Sequence, residues 1–310
     1  MTTVEVFAPA KINLTLHVTG KREDGYHLLD SLVVFAKDIG DTVKVTDQPS
    51  LTLHVHGPMQ AGVPTDESNV IVKAARLYQA KCAPNRGASI ELTKRLPNGG
   101  GIGGGSADAG AVLRALCQLW RVELFSRPQA AAEIGADVAV CMTAPSPRRV
   151  VGVGENARLV NSLPRLWLVL ANPGVHIPTA DVFSRLSSNY RVDNEPMDNV
   201  PETQNFLEFE KWLRDQRNDL TPVVEDFCPE VRVCREALAA LPGCRKADMS
   251  GSGSTCWGLF SNENDARAGV QLLEAAHPGW WVRSTEVEEF WNHSENYDLL
   301  FFNQLMRATT

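Results

Sequence analysis

Apolar positions in the first ninety or so residues come in short, partly alternating runs. Residues 4–7, 31–35, 42–45 and 51–55 are rich in Val, Leu and Thr, and residues 88–92 follow the same habit, so five strands are predicted. Between the first two lies a charged, glycine-bounded turn, Gly20-Lys21-Arg22-Glu23-Asp24-Gly25. Residues 69–78 suit a helix starting at an Asn or Ser cap. Further on, Ala109, Val112, Leu113, Leu116, Leu119 and Trp120 recur at spacings of 3, 1, 3, 3 and 1, a helix with one apolar face. Pro145-Ser146-Pro147 breaks the pattern, and residues 150–153 resume as a strand. A second series starts with the buried-strand composition Leu-Trp-Leu-Val-Leu at 166. It continues through helices at 231–241 and 265–276, a strand at 256–260 and a terminal strand at 279–283. Residues 187–202 are polar, hold two prolines and read as a surface loop. Strands and helices do not alternate strictly, so the class is α+β, in two domains joined around 155–165.

Composition narrows the picture. A chain of 310 residues fits two domains, and 44% hydrophobic with 22% charged residues excludes a mainly disordered or fibrous chain. The longest apolar run, residues 166–171, is far short of the roughly 20 that a membrane helix needs, and no secretory signal is expected at the N-terminus. A formal charge of −7 argues against an extended nucleic-acid surface but leaves room for a small basic pocket. Seven cysteines without a Cys-x-x-Cys spacing read as reduced thiols of a cytoplasmic protein. His54 and His56 share one strand face with no third ligand near, which reads as a solvated face rather than a metal site.

The strongest local signal is Pro97-Asn98-Gly99-Gly100-Gly101-Ile102-Gly103-Gly104-Gly105-Ser106-Ala107-Asp108, with six glycines in seven positions. Such a backbone comes close to a ligand, and it runs into a helix whose N-terminal N–H groups and dipole suit phosphate. Ser106 adds a hydroxyl donor or a metal contact, while Asp108 caps the helix or repels phosphate unless it faces a cation. A tight turn alone needs only two or three glycines. The embedded Gly99-x-Gly101-x-x-Gly104 matches the dinucleotide fingerprint, but Lys94-Arg95-Leu96-Pro97 intervenes where a strand should end. The Walker pattern is absent, so a phosphate loop of neither common type is expected.

Three further clusters carry chemistry. In Ala8-Pro9-Ala10-Lys11-Ile12-Asn13-Leu14 a lysine within an apolar strand must reach a carboxylate, a phosphate or solvent, or else snorkel at a sheet edge. In Gly135-Ala136-Asp137-Val138-Ala139-Val140-Cys141 the small and apolar flanks half bury Asp137, which then needs a partner or caps a turn. Met249-Ser250-Gly251-Ser252-Gly253-Ser254-Thr255 is a second turn able to approach a ligand.

In this order the segments resemble the GHMP kinase superfamily, named for galacto-, homoserine, mevalonate and phosphomevalonate kinases. The match covers about residues 4–284. It includes Pro-Ala-Lys-Ile-Asn-Leu, Lys21-Arg-Glu-Asp-Gly-Tyr-His27, the loop 97–108, Gly135-Ala-Asp-Val138, Gly152-Val-Gly-Glu155 and Ser250-Gly-Ser-Gly-Ser254. Gly25-Tyr26-His27 and the triple glycines are similar to the branch acting on a cytidine-diphosphate substrate. The fold implied is α+β in two domains. Residues 1–156 would form an ATP-binding domain like domain 2 of ribosomal protein S5, and 157–285 a ferredoxin-like domain. Residues 286–310 depart from the family as a tail with Phe290, Trp291, Tyr297, Phe301 and Phe302, read as a docked terminal helix, a dimer contact or an appended sequence. Ala107 stands where a second serine is common, Ala139 replaces a usual proline, and Pro145 and Pro147 stand in place of a usual glycine.

The resemblance implies a small-molecule kinase that moves the γ-phosphoryl of ATP to the 2-hydroxyl of 4-diphosphocytidyl-2-C-methyl-D-erythritol, giving the 2-phosphate and ADP in non-mevalonate isoprenoid biosynthesis. It implies that Asp137 accepts the hydroxyl proton and Lys11 orients it, each offsetting the cost of burying the other. ATP falls to Pro97, Asn98, Gly99, Gly100, Gly101, Ile102, Gly103, Gly104, Gly105, Ser106 and Ala107. Asn69 lies on the adenine side or simply caps its helix. Mg²⁺ neutralises charge, with Ser106 as its contact. For the acceptor, Tyr26 stacks on cytosine, His27 bonds the base edge, Thr179 and Phe183 form the opposing wall, and Asn13 reaches the polar end; Tyr26 and Phe183 are otherwise packing residues. The partner implied is a small molecule, and the chain a monomer or homodimer, with no nucleic acid and no membrane. A homoserine or mevalonate kinase leaves Gly25-Tyr26-His27 without a reason. A nicotinamide-dependent oxidoreductase would rest on the glycine fingerprint alone, and a non-catalytic sensor has no need of both Lys11 and Asp137.

Overall fold

The computed structural model describes residues 2–122, 134–189 and 194–291. Strand β1 (Thr3–Asn13) alternates at its end, so Ala10 and Ile12 enter the core while Lys11 and Asn13 face the other way. After β2 (His17–Lys21) comes β3 (His27–Gln48), one strand of 22 residues where the sequence pattern predicts two. Strand β1 pairs with both halves of β3, and the register slips between Pro9 and Lys11. Because pairing resumes on either side, β3 absorbs the slip as a bulge instead of ending, and Pro9, with no N–H to give, sits beside it.

Strand β4 (Thr52–His56) is followed by α1 (Val70–Cys82), whose first turn is capped by Asn69 and whose inward face is Ile71, Ala74, Ala75 and Tyr78. Strand β5 (Gly87–Thr93) leads through the glycine loop into α2 (Gly104–Trp120). This helix starts earlier than the apolar pattern predicts, and past Ser106 it is buried on nearly every side rather than on one face. Its small residues Ala107, Ala109, Gly110 and Ala111 admit neighbours all round, and it packs against α1, β1 and β3. A short α3 (Ala136–Cys141) and strands β6 (Arg148–Gly152) and β7 (Asn156–Leu159) complete this part. The sheet runs β4-β5-β3-β6-β7 with β1 and β2 also on β3, antiparallel except for the β4–β5 pair.

A short β8 (Ser162–Leu163) precedes β9 (Leu166–Asn172), α4 (Thr179–Asn189), α5 (Phe206–Asp215), α6 (Thr221–Phe227) and α7 (Pro229–Ala239). Then come β10 (Lys246–Met249), β11 (Cys256–Phe260), α8 (Glu263–Ala276), β12 (Trp281–Val287) and β13 (Phe290–Trp291). Strands β10-β11-β9-β12 form a second, antiparallel sheet. Alternation along β9 divides the core: Leu166, Leu168 and Leu170 meet Ile12, Leu32 and Val34 of the first sheet, while Val169 and Ala171 meet the helices. The architecture is α+β, as the mixed pattern predicts.

Three readings of the pattern need correction. Helices α4, α5 and α6 have no counterpart in it, although Asn205 caps α5 by accepting from the Leu207 N–H at 2.9 Å. The stretch read as a surface loop buries Met197, whose sulfur accepts from Thr15 Oγ1 at 3.0 Å, and Arg149 donates to the Met197 carbonyl at 2.6 Å; residues 190–193 lie outside the described residues. Phe290 and Trp291 form a strand against β8, not a terminal helix, while Tyr297, Phe301 and Phe302 lie outside the described residues.

Trp257 of β11 is wholly buried, and its indole N–H donates to the Asn13 carbonyl at 3.1 Å, tying the two sheets together. Replacing it by Phe keeps most of the packing but deletes this donor. Trp257→Phe is expected to lower stability by about 1–3 kcal/mol in equilibrium urea unfolding.

Candidate active site

Lys11 projects from β1 with only 5% of its surface exposed. Its Nζ lies 3.0 Å from Asp137 Oδ1 and 3.2 Å from Asn13 Oδ1. Asp137 occupies the first turn of α3, where a carboxylate suits the helix dipole, and its side chain remains 54% exposed. The two awkward residues of the sequence therefore meet as a pair that is buried on one side and open on the other. Asn13 uses both ends of its amide internally, donating through Nδ2 to Ser31 Oγ at 2.7 Å, with Ser31 donating onward to the Thr15 carbonyl.

The glycine loop passes directly beside this pair. The Lys11 backbone N–H donates to the Ile102 carbonyl at 3.0 Å. From the second sheet, Ser250 Oγ accepts from the Asn13 N–H and donates to the Gly101 carbonyl, both at 3.0 Å, and the Thr255 N–H donates to the Gly100 carbonyl at 2.9 Å. Asn172 supports that turn through Thr255 Oγ1 at 2.9 Å. Gly101 has φ +74°, and a Cβ there would sit 2.6 Å from the Gly253 carbonyl oxygen, so only glycine fits.

A cavity of about 370 Å³ opens on the other side of the loop, lined among others by Asn69, Lys94, Pro97, Asn98, Gly99 and Gly105. Helix α2 starts at its edge from Gly103, which offers no side chain to cap the first turn, so those backbone amides have no side-chain acceptor of their own. The Ala107 N–H is not among the open amides, since it already donates to the Gly103 carbonyl at 2.8 Å. Asn69 lines the cavity, but its side chain accepts from the Ile71 N–H at 2.8 Å and donates to the Pro64 carbonyl at 2.6 Å, which makes it first a helix cap. Asn98 likewise spends its amide on the Met59 and Ala61 carbonyls. Ser106 is part-buried in the first turn of α2.

Beneath the cavity lies a charge cluster that the sequence pattern does not reveal. Lys94 Nζ pairs with Asp41 and, at 2.9 Å, with Asp108, and all three side chains are buried. Asp108 thus does face a cation, the condition under which it is tolerated next to phosphate. Asp41 also accepts from the Arg95 N–H at 2.5 Å and the Leu96 N–H at 2.9 Å, fixing the chain as it enters the loop. Burial works against the Lys94 ammonium, but the charges of Asp108 and Asp41 outweigh it and its pKa is raised; burial pushes the Asp108 carboxyl up as well.

Of the residues expected to meet the acceptor, His27 stacks on Phe183 with ring centroids 5.1 Å apart. Tyr26, expected to stack on the cytosine ring with Phe183 opposite, is 66% exposed. Burial, with the Lys21 charge, lowers the His27 pKa. Thr179 Oγ1 lies 2.9 Å from Ser252 Oγ, joining the start of α4 to the Gly/Ser turn. His56 hydrogen-bonds Thr93, and the described residues hold no group of three or more His, Cys, Asp or Glu able to bind a metal.

Residues 69–144 match the GHMP kinases N terminal domain and residues 197–276 the GHMP kinases C terminal domain. The 4-diphosphocytidyl-2-C-methyl-D-erythritol kinase of Cereibacter sphaeroides is 50% identical over 90% of this chain and 97% of its own length. The protein of the same name from Ruegeria pomeroyi is 48% identical over 92% and 99%. The chain belongs to the 4-diphosphocytidyl-2-C-methyl-D-erythritol kinase family of GHMP kinases. A crystal structure of 4-(cytidine 5'-diphospho)-2C-methyl-D-erythritol kinase, 33% identical, superimposes with a TM-score of 0.69 over 91% of this chain and 98% of that one. L. major mevalonate kinase, 16% identical, shares the fold with a TM-score of 0.64 over 94% and 98%.

In this GHMP kinase the Lys94 cluster is open to a direct test. Lys94→Met leaves two buried carboxylates without their cation and is expected to cost about 3–5 kcal/mol in denaturant unfolding. A carboxyl whose pKa is raised in the folded state binds more protons there than in the unfolded chain, so stability rises as pH falls. The deficit of Lys94→Met is therefore smaller at acid pH than at alkaline pH.

Proposed function

We propose that the chain transfers the γ-phosphoryl group of ATP to the 2-hydroxyl of 4-diphosphocytidyl-2-C-methyl-D-erythritol in non-mevalonate isoprenoid biosynthesis, with Lys11 and Asp137 as its catalytic residues. The observation that carries this reading is the 3.0 Å contact between Lys11 Nζ and Asp137 Oδ1 beside the glycine loop. Asp137 is open enough for a hydroxyl to reach, and it accepts the proton as the oxygen attacks phosphorus. Lys11, held by Asn13, keeps the carboxylate oriented and polarises the hydroxyl. In this reading the amides at the start of α2, which no side chain caps, take the phosphate oxygens and offset negative charge as it builds. When bound, MgATP supplies the phosphoryl group and the metal neutralises its charge in the loose transition state. Ser106, in the first turn of α2, is the side chain that would hold Mg²⁺.

The cytidine end falls to His27, Phe183, Tyr26 and Thr179, and Asn13 lies at the reacting end. Residues 1–156 would form the nucleotide-binding domain and 157–285 the second domain. The chain acts in this reading on a small molecule, as a monomer or homodimer in the cytoplasm, and its net charge of −7 disfavours nucleic acid.

ADP release with ATP, Mg²⁺ and the cytidyl substrate tests the proposal, with mevalonate and homoserine run alongside. Asp137→Asn is expected to lower kcat by about 10²–10⁴-fold while ATP binding by calorimetry is retained. Full activity in that variant, or turnover confined to mevalonate or homoserine, would overturn the reading.

A further inference from the structure

We infer that Arg114 is a positioning residue for phosphoryl transfer, holding α3, and with it Asp137, against the strand that carries Lys11. The inference rests on the reading of Lys11 and Asp137 as the reacting pair. Arg114 lies on α2, is 6% exposed, and has no carboxylate partner among the described residues. Burial brings its pKa down to about 10, so the guanidinium is still charged at neutral pH. A buried cation without an acid must be satisfied by carbonyls, and which carbonyls it has chosen is informative.

Nη1 donates to the Cys141 carbonyl at 2.9 Å and Nη2 to the Phe7 carbonyl at 3.1 Å. Cys141 is the last residue of α3, where the negative end of the helix dipole favours a cation; Phe7 lies four residues before Lys11 in β1. One planar side chain is therefore bonded to both pieces of backbone from which the reacting pair springs. Gly110, one turn earlier on the same face of α2, supports the contact. A Cβ there would lie 3.2 Å from both the Cys141 carbonyl carbon and the Met142 nitrogen, so the end of α3 rests directly on α2. The hydrogen bonds of Arg114 go to these two carbonyls rather than to Lys11 or Asp137.

The test is steady-state kinetics on Arg114→Met, Arg114→Lys and Asp137→Asn, with thermal melting to verify folding. Arg114→Met is expected to lower kcat by about 10–100-fold, the scale of a misplacement near 1 Å, with both KM values within about threefold. Arg114→Lys, able to reach one carbonyl, recovers part of the loss. On the Asp137→Asn background Arg114→Met makes no further difference, because it acts only through that carboxylate. Unchanged kcat in a folded Arg114→Met, or losses that simply multiply with those of Asp137→Asn, overturn the inference while leaving the pair intact. Full activity in Asp137→Asn alone removes the pair, and the inference with it. Should Arg114→Met fail to fold, Gly110→Ala displaces α3 without deleting a charge and is expected to show the same fall in kcat alone; an unchanged kcat there overturns the inference.

Discussion

Lys11 is almost wholly withdrawn from solvent, and its counter-charge stands 126 residues further along the chain. An ammonium left unpaired at such a depth costs several kcal/mol, so the chain between must fold in whatever way returns Asp137 to β1. That requirement spans the first sheet, the glycine loop, α2 and α3. Lys94 imposes a second requirement of the same kind, drawing Asp41 from β3 and Asp108 from α2 to the mouth of the loop. Stability and chemistry are thus not separate layers here. The ion pair that would move a proton also closes the N-terminal part of the fold, and the cluster that secures the loop also lines the cavity behind it.

Much of this could be read from residue types. Alternation located most strands, and Lys11 and Asp137 each stood out as a charge in apolar company that had to find a partner. What escaped the pattern depended on distant contacts. Strand β3 is continuous because β1 pairs across its break, which no local window contains. Helix α2 hides polar residues all round, and the Asp108 carboxylate is neutralised by Lys94, a residue that in sequence only separates the glycines from their strand. Helices α5 and α6, with 10 and 7 residues, escaped because each is shorter than the stretch over which an apolar period repeats. The stacking of His27 on Phe183 joins residues 156 positions apart, again beyond any local window.

The glycine loop belongs to both halves of the molecule. Its carbonyls are held by Ser250 and Thr255 of the second half, and its entry by Asp41 of the first. Glycine lets the loop approach its neighbours, yet those neighbours decide its shape. The buried indole of Trp257 adds a bond between the same two halves. The loop that the proposal assigns to phosphate therefore owes its shape to backbone clamped on two sides.

Strand β3 bears His27 at its first position and Asp41 fourteen residues further on. One continuous extended element thereby links the place where the acceptor would be recognised to the place where the phosphate loop is anchored. Such an element behaves as a gauge. Adding one residue would turn every later side chain to the opposite face, and adding two would shift the ends by about 7 Å while keeping the faces. The spacing between His27 and Asp41 is thus written in covalent chain length, and in the proposed reading a change of acceptor size would be met by the turn before His27 and the helix facing it. In the language of engineering, acceptor recognition would then be an exchangeable fitting on a frame of fixed span.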